Sequence, residues 1–165
     1  MIIFGIIGWK NSGKTYFAQK IISGLTKLNL KVASIKHAHH EFDIDQPNTD
    51  SFLHRKAGSK QIIISSSKRW AKISEINQSD EKKLNELIKE LDSPDVIIVE
   101  GFKKENHPKI EIISSNFDKA KFLFDKLENV VAIISDFKIN AFDKNQFKRN
   151  QINEIIKFIL NFKNE

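Results

Sequence analysis

A chain of 165 residues, 40% hydrophobic and 29% charged, suits one soluble domain with a filled core and is too short for two ordinary ones. It has no cysteine, which excludes disulfides, thiolate metal sites and cysteine nucleophiles and fits a reducing cytoplasm. The net charge of +6 comes from lysines scattered among acids, an argument against specific nucleic-acid binding and for an anionic small molecule or an acidic partner.

The apolar start "IIFGII" predicts a buried strand over residues 2–7, not a signal peptide, because no basic leader precedes it. No apolar run approaches the roughly 18–20 residues of a membrane helix. "GWKNSGKT" (8–15) follows directly, and Gly8, Gly13, Lys14 and Thr15 fit G-x-x-x-x-G-K-[ST], the phosphate-binding P-loop. Glycines let the backbone curl so that N–H groups face phosphate oxygens, and the helix begun there adds the positive end of its dipole. Lys14 supplies a mobile charge for the β- and γ-phosphates, and Thr15 a hydroxyl for Mg²⁺. The expected binding set in and beside the loop is Gly8, Asn11, Ser12, Gly13, Lys14, Thr15 and Tyr16.

Residues 13 to about 28 repeat apolar positions at Phe17, Ile21, Ile22, Leu25 and Leu28, which is helical spacing. "KVASIK" (31–36) reads as a second strand. Residues 37–50 are polar and without period, and residues 50–58 form a short helix stopped by Gly58. "KQIIISS" and "RWAKISE" read as a β-hairpin. Residues 79–92 are predicted as a charged amphipathic helix with Ser79 or Asp80 at its N-cap. "DVIIVEG" (95–101) has the unbroken apolar character of a parallel strand buried on both faces. Glu100, at its end, is the carboxylate expected to serve the Mg²⁺ shell, and Asp95 is a helix–strand junction residue. "KIEIIS" (109–114) and "NVVAIIS" (129–135) add strands, and "RNQINEIIKFILNF" a closing helix. Strands alternating with helices predict an α/β fold: one P-loop NTPase-like domain over residues 1–165, with a mainly parallel twisted sheet, flanking helices and a hairpin insertion.

The stretch from Lys36 to Gly58 holds His37, His39, His40 and His54 with Asp43, Asp45, Asp50 and Arg55. It can be read as a transition-metal site, a solvated polar loop, or a functional loop facing a nucleotide or second anion. Adjacent histidines without helical H-x₃-H spacing weigh against the first. Its place after a strand, at the end where open α/β sheets bind ligands, favours the last.

These residues resemble the molybdopterin-guanine dinucleotide biosynthesis adapter proteins, the B component of that pathway. The resemblance rests on "GWKNSGKT", "KHAHHEFDID" with "PNTDS", "RKAG" (55–58), "RWA" (69–71) and "VEGFK" (99–103), and "IISD" (133–136) looks like that family's last strand. The chain departs from the family's Pro-Gly-Lys-Asp-Ser at Asn48 and Thr49, which puts an anion contact from position 49 in doubt. The resemblance implies a homodimeric, cytoplasmic, GTP- and Mg²⁺-binding adapter with weak GTPase activity. It would assist the guanylyltransferase that joins GMP to molybdopterin. Lys14 and Thr15 would meet phosphate and Mg²⁺, Glu100 the metal or water, and the loop with His37, His39, His40, Asp43 and Asp45 would act near the γ-phosphate. GTP is implied by the family alone, since no N-K-x-D guanine motif occurs. A small-molecule kinase is the alternative, against which stand only three arginines and no Arg-rich lid. A nucleic-acid-associated ATPase is the third reading.

Overall fold

Six strands, the central ones carrying the apolar runs, align in one parallel sheet. The structure, a computed structural model, describes residues 1–38, 42–77, 80–115 and 122–163. The elements are β1 (Ile2–Gly8), α1 (Lys14–Lys27), β2 (Val32–Lys36), α2 (Asp50–Lys56), β3 (Gln61–Ser65), β4 (Trp70–Ser74), α3 (Leu84–Lys89), β5 (Val96–Glu100), β6 (Lys109–Ile112), β7 (Val130–Ile134), β8 (Asn145–Phe147) and α4 (Ile152–Asn161). The sheet order is β2-β5-β1-β6-β7-β8, and every pairing in it is parallel.

Side-chain alternation explains why the central strands are apolar throughout. Val96 and Ile98 of β5 join a cluster with Phe4 and Ile6 of β1 and with Phe17, Ile21 and Leu25 of α1 and Ile155 and Ile159 of α4. Ile97 and Val99 point the other way, into a cluster with Ile35 and Leu84. Farther along that second face, Ile7 and Ile133 meet Phe122, Leu123, Ile139 and Phe142. Each such side chain fully removed from water contributes roughly 1.5–3 kcal/mol, so a layer on both faces stabilises the sheet more than backbone pairing alone.

The chain divides into two compact units: a main unit of Met1–His37 with Leu84–Glu165, and a smaller one of Ala38–Lys83. The smaller unit holds α2 and the β3–β4 hairpin, paired antiparallel from Gln61↔Ser74 to Ser65↔Trp70. Gly58, at φ 104°, follows α2 as its stop.

Two expectations need correction. The helix expected over 79–92 spans only Leu84–Lys89. Asp80 precedes that helix by four residues; its backbone N–H donates to the Asn77 carbonyl and its carboxylate accepts from the Asn77 amide, and Ser79 lies outside the described residues. The physical reason is that residues 80–83 are all charged, whereas Leu84, Leu87 and Ile88 have a face to bury. Likewise β7 is not the last strand. The polar edge strand β8 follows it, too short and hydrophilic to show a pattern.

Beside Gly5, where an added Cβ would lie 2.5 Å from its Nε2, His107 is packed away with neither ring nitrogen hydrogen-bonded. Burial and the charge of Lys109 lower its pKa from 6.5 to about 4. The ring is therefore neutral in the fold, while in the unfolded chain it takes a proton near 6.5. Its contribution is full above that pH and is lost as pH falls through the folded value, in total about 3 kcal/mol. Chemical denaturation between pH 6.5 and pH 4 should show a flatter acid loss for His107→Leu than for the wild type.

Candidate functional site

Gly8 ends β1 at φ 152°, and there is no room for a side chain: a Cβ there would lie 2.6 Å from both the Ile112 carbonyl and the Ser12 hydroxyl. Asn11 (φ 63°) and Gly13 (φ 99°) supply the left-handed turns that bring the loop round to α1. Gly13 is the helix N-cap and offers no side chain, so the first-turn N–H groups receive no side-chain cap. A loop whose N–H groups face inward must satisfy its carbonyls elsewhere. The Trp9 carbonyl accepts from the Ser12 N–H (3.2 Å) and from Lys14 Nζ (2.7 Å). The Ser12 carbonyl accepts from Arg149 Nη2 (2.9 Å).

Arg149 was not among the expected site residues. It lies between β8 and α4, donates also to the Ile113 carbonyl (3.3 Å), and rests over the Phe17 ring at 5.1 Å. Its scarcity in a lysine-rich chain is the only sign the sequence carries. A planar fork that can stack and donate in two directions suits a brace behind a loop better than a lysine ammonium does.

The parallel register sets Glu100 level with Ile6 on one side and Lys36 on the other. Thr15 Oγ1 accordingly donates to Glu100 Oε1 at 3.0 Å, which brings together the two residues expected to serve a metal shell. Lys36 Nζ lies 3.7 Å from the same oxygen. Lys14 has its pKa lowered, first by burial and then by the charge of Lys103, while Glu100 opposes the shift. Lys103 sits over the Trp9 ring at 5.2 Å. Lys14, Lys36 and Lys103 thus outnumber Glu100, an electrostatic setting for a polyanion.

The Ser12 hydroxyl is buried without a hydrogen-bond partner, which costs about 1–3 kcal/mol unless a ligand oxygen meets it. Thr15 and Glu100 offer hard oxygens, and Mg²⁺ is commonly held by one or two such groups together with substrate phosphates. The residues present therefore fit a magnesium-bound phosphate chain.

The remaining expected residues divide. His37 stands one residue past β2; its N–H donates to the Glu100 carbonyl (2.9 Å) and its ring stacks on Phe102 at 4.5 Å. Tyr16 is exposed, edge-on to Phe17 and 5.6 Å from the Lys20 amine, with no contact to the loop's polar groups. His39 and His40 lie outside the described residues.

Asp43 and Asp45 belong to the smaller unit. Arg55 binds both, through Nη2 to Asp43 (2.5 Å) and Nε to Asp45 (3.2 Å), and also approaches Glu75 at 3.5 Å. Ser51 Oγ donates to Asp45 at 3.0 Å. Arg55, which lies beyond the loop in sequence, therefore closes back on it. At the departure from the family pattern, Asn48 adopts φ 69°, the left-handed conformation for which glycine is usual. Thr49 becomes the α2 N-cap, and its hydroxyl donates to the Gln46 carbonyl at 2.8 Å. Among the described residues no group of three or more histidines and carboxylates is arranged to hold a metal ion, and no helix is long and apolar enough to cross a membrane.

The sequence pattern of the family described as molybdopterin guanine dinucleotide synthesis protein B (MobB) matches residues 3–136. The chain is 34% identical over 142 residues to the molybdopterin-guanine dinucleotide biosynthesis adapter protein of Escherichia coli, covering 84% of this chain and 80% of that protein. It is 33% identical over 162 residues to the Haemophilus influenzae protein of the same name, covering 97% and 88%. Its fold is that of the crystal structure of Bacillus subtilis MobB, with TM-score 0.76 and 23% identity over 100% of each chain. It is also that of the MobB homolog from Bacillus stearothermophilus, with TM-score 0.74 and 20% identity over 98% of this chain and 97% of the other.

Two substitutions test the site. Lys14→Ala removes a charge-assisted contact, so calorimetry should find nucleotide affinity about ten- to a hundred-fold weaker with the melting temperature kept. For Glu100→Gln, metal-free nucleotide binding should stay close to wild type, while the gain in affinity on adding Mg²⁺ should shrink.

Proposed function

This chain belongs to the molybdopterin guanine dinucleotide synthesis protein B family, and from that premise we propose that it is a GTP-dependent adapter in molybdopterin guanine dinucleotide biosynthesis. It binds GTP with Mg²⁺ on the loop from Gly8 to Thr15 and presents a nucleotide-dependent surface to the guanylyltransferase that joins GMP to molybdopterin. The observation that carries this reading is the Thr15–Glu100 pair at 3.0 Å beside the phosphate loop, ringed by lysines. When bound, Mg²⁺ would neutralise phosphate charge between Thr15 and Glu100. Lys14 would lie along the phosphates, and Lys36 and Lys103 would attract a further anion such as the pterin phosphate. The protein acts in the cytoplasm, as a homodimer.

Hydrolysis is slow in this reading because two of the chain's three arginines are engaged and the third belongs to the hairpin of the smaller unit. Arg149 is spent on the carbonyls of Ser12 and Ile113, Arg55 is held by carboxylates, and Arg69 sits in the hairpin turn. A transition-state cation is worth about 10³–10⁵ in rate in phosphoryl transfer, so a site without one turns over well below about 1 s⁻¹.

The test is capture of purified guanylyltransferase by the wild type and by Lys14→Ala, each with GTP, with GDP and without nucleotide. The wild type should retain the enzyme in a nucleotide-dependent manner, and Lys14→Ala should lose that dependence. Absence of association in every state, or rapid GTP turnover by the protein alone, would overturn the adapter reading in favour of a phosphotransferase.

A further inference from the structure

Both ends of the phosphate loop are set against one place, the C-terminal end of β6. At the start of the loop, Gly8 pairs with Ile112 and packs on its carbonyl. Toward the other end, Ser12 is tied to the next residue, Ile113, through a single side chain. Arg149 donates from Nη2 to the Ser12 carbonyl at 2.9 Å and from Nη1 to the Ile113 carbonyl at 3.3 Å. Ile113 is itself fixed to β7, its N–H donating to the Ile134 carbonyl at 2.9 Å.

The guanidinium is held on its other sides as well. Its Nε lies 3.9 Å from Asp136 Oδ2, and it rests over the ring of Phe17, a buried residue of α1. It approaches Gly13 so closely that a Cβ there would lie 2.8 Å from Nη2. Glycine at position 13 therefore makes room for the guanidinium as well as turning the chain. The backbone that carries Arg149 is anchored too. The Gln151 N–H donates to the Lys148 carbonyl at 3.1 Å, and Gln151 Oε1 accepts the Lys148 N–H at 2.7 Å. Behind them, α4 buries Ile155 and Ile159 in the main core.

A trans peptide points its carbonyl and its N–H in opposite directions. With the Ser12 carbonyl held by Arg149, the Gly13 N–H is aimed away from that side, as a cradle of amides for phosphate requires. Without this partner the Ser12–Gly13 peptide is free to turn over, because glycine tolerates backbone angles that other residues avoid. Lys14 is no substitute: its Nζ donates to the Trp9 carbonyl at 2.7 Å, at the opposite end of the turn.

We infer that Arg149 is a positioning residue for phosphate binding, which acts by holding the Ser12–Gly13 peptide in its binding orientation. The inference rests on the nucleotide-binding reading above. Arg149 touches no phosphate in this role; its planar fork, and not its charge, is what the loop uses. The family match ends at residue 136, so this support comes from the part of the chain beyond it.

The experiment measures, by calorimetry, the binding of GTP and of inorganic tripolyphosphate, each with Mg²⁺, to the full chain and to Arg149→Lys and Arg149→Ala. Each protein is studied below its own melting temperature. Arg149→Lys keeps the charge without the fork and should bind both ligands about ten-fold more weakly. Arg149→Ala should lose at least as much. Added ethylguanidinium should restore much of the affinity of Arg149→Ala, and ethylammonium at the same concentration should not. Wild-type affinity in Arg149→Lys would overturn the inference, because charge alone would then suffice. So would an absence of rescue by ethylguanidinium, or equal rescue by both cations. Any of these results leaves the phosphate site standing. Failure of the wild type to bind GTP or tripolyphosphate would instead bring down the nucleotide-binding reading, and this inference with it.

Discussion

The end of β1 is crowded on both sides, and much of the site follows from that. Because the Ile112 carbonyl and the Ser12 hydroxyl occupy the space where a side chain at position 8 would go, only glycine lets the strand leave the sheet and turn at once. The loop that results has its Trp9 carbonyl satisfied by Lys14 and the Ser12 N–H, and its Ser12 carbonyl by Arg149. Glu100 reaches Thr15 because β5 pairs beside β1 in parallel with its last residue opposite Ile6.

Legibility in the sequence followed the strength of local periodicity. Strands buried on both faces, such as Val96–Glu100, and helices with one apolar stripe, such as Lys14–Lys27 and Ile152–Asn161, were readable to within a few residues. The loop from Gly8 to Thr15 was legible as a motif because its spacing carries chemistry, and Glu100 as a carboxylate ending an apolar strand; their contact through Thr15 comes from the fold. The short α3 was overestimated, since the charged residues before Leu84 mimic helix composition without an apolar face to bury. The edge strand Asn145–Phe147 was illegible, because pairing on one side demands no apolar pattern.

What the sequence concealed at the site is long-range. Arg149 meets Ser12 across 137 positions, and no local signal announces such a contact. Lys103 and Lys36 gather near Lys14 only because strand ends coincide. Asp43 and Asp45 looked like water-orienting carboxylates in a loop without an arginine. Folding brings Arg55 back across the start of α2 to hold both, so their charge is largely answered within the smaller unit. Asn48 holds a left-handed φ of 69° that glycine also adopts, so this departure from the family pattern is compatible with that turn.

Ile35, at the end of the segment entering the smaller unit, and Leu84, at the start of the segment leaving it, are buried in the same apolar cluster on Ile97 and Val99. The main fold therefore anchors both ends of the intervening 46 residues itself, from Ala38 to Lys83. Such an insert is a cassette. Its length and surface can drift, or be exchanged for another module, without altering the register of β2 or the seating of α3. Lineages sharing this fold are thereby free to vary the insert while the sheet keeps its architecture.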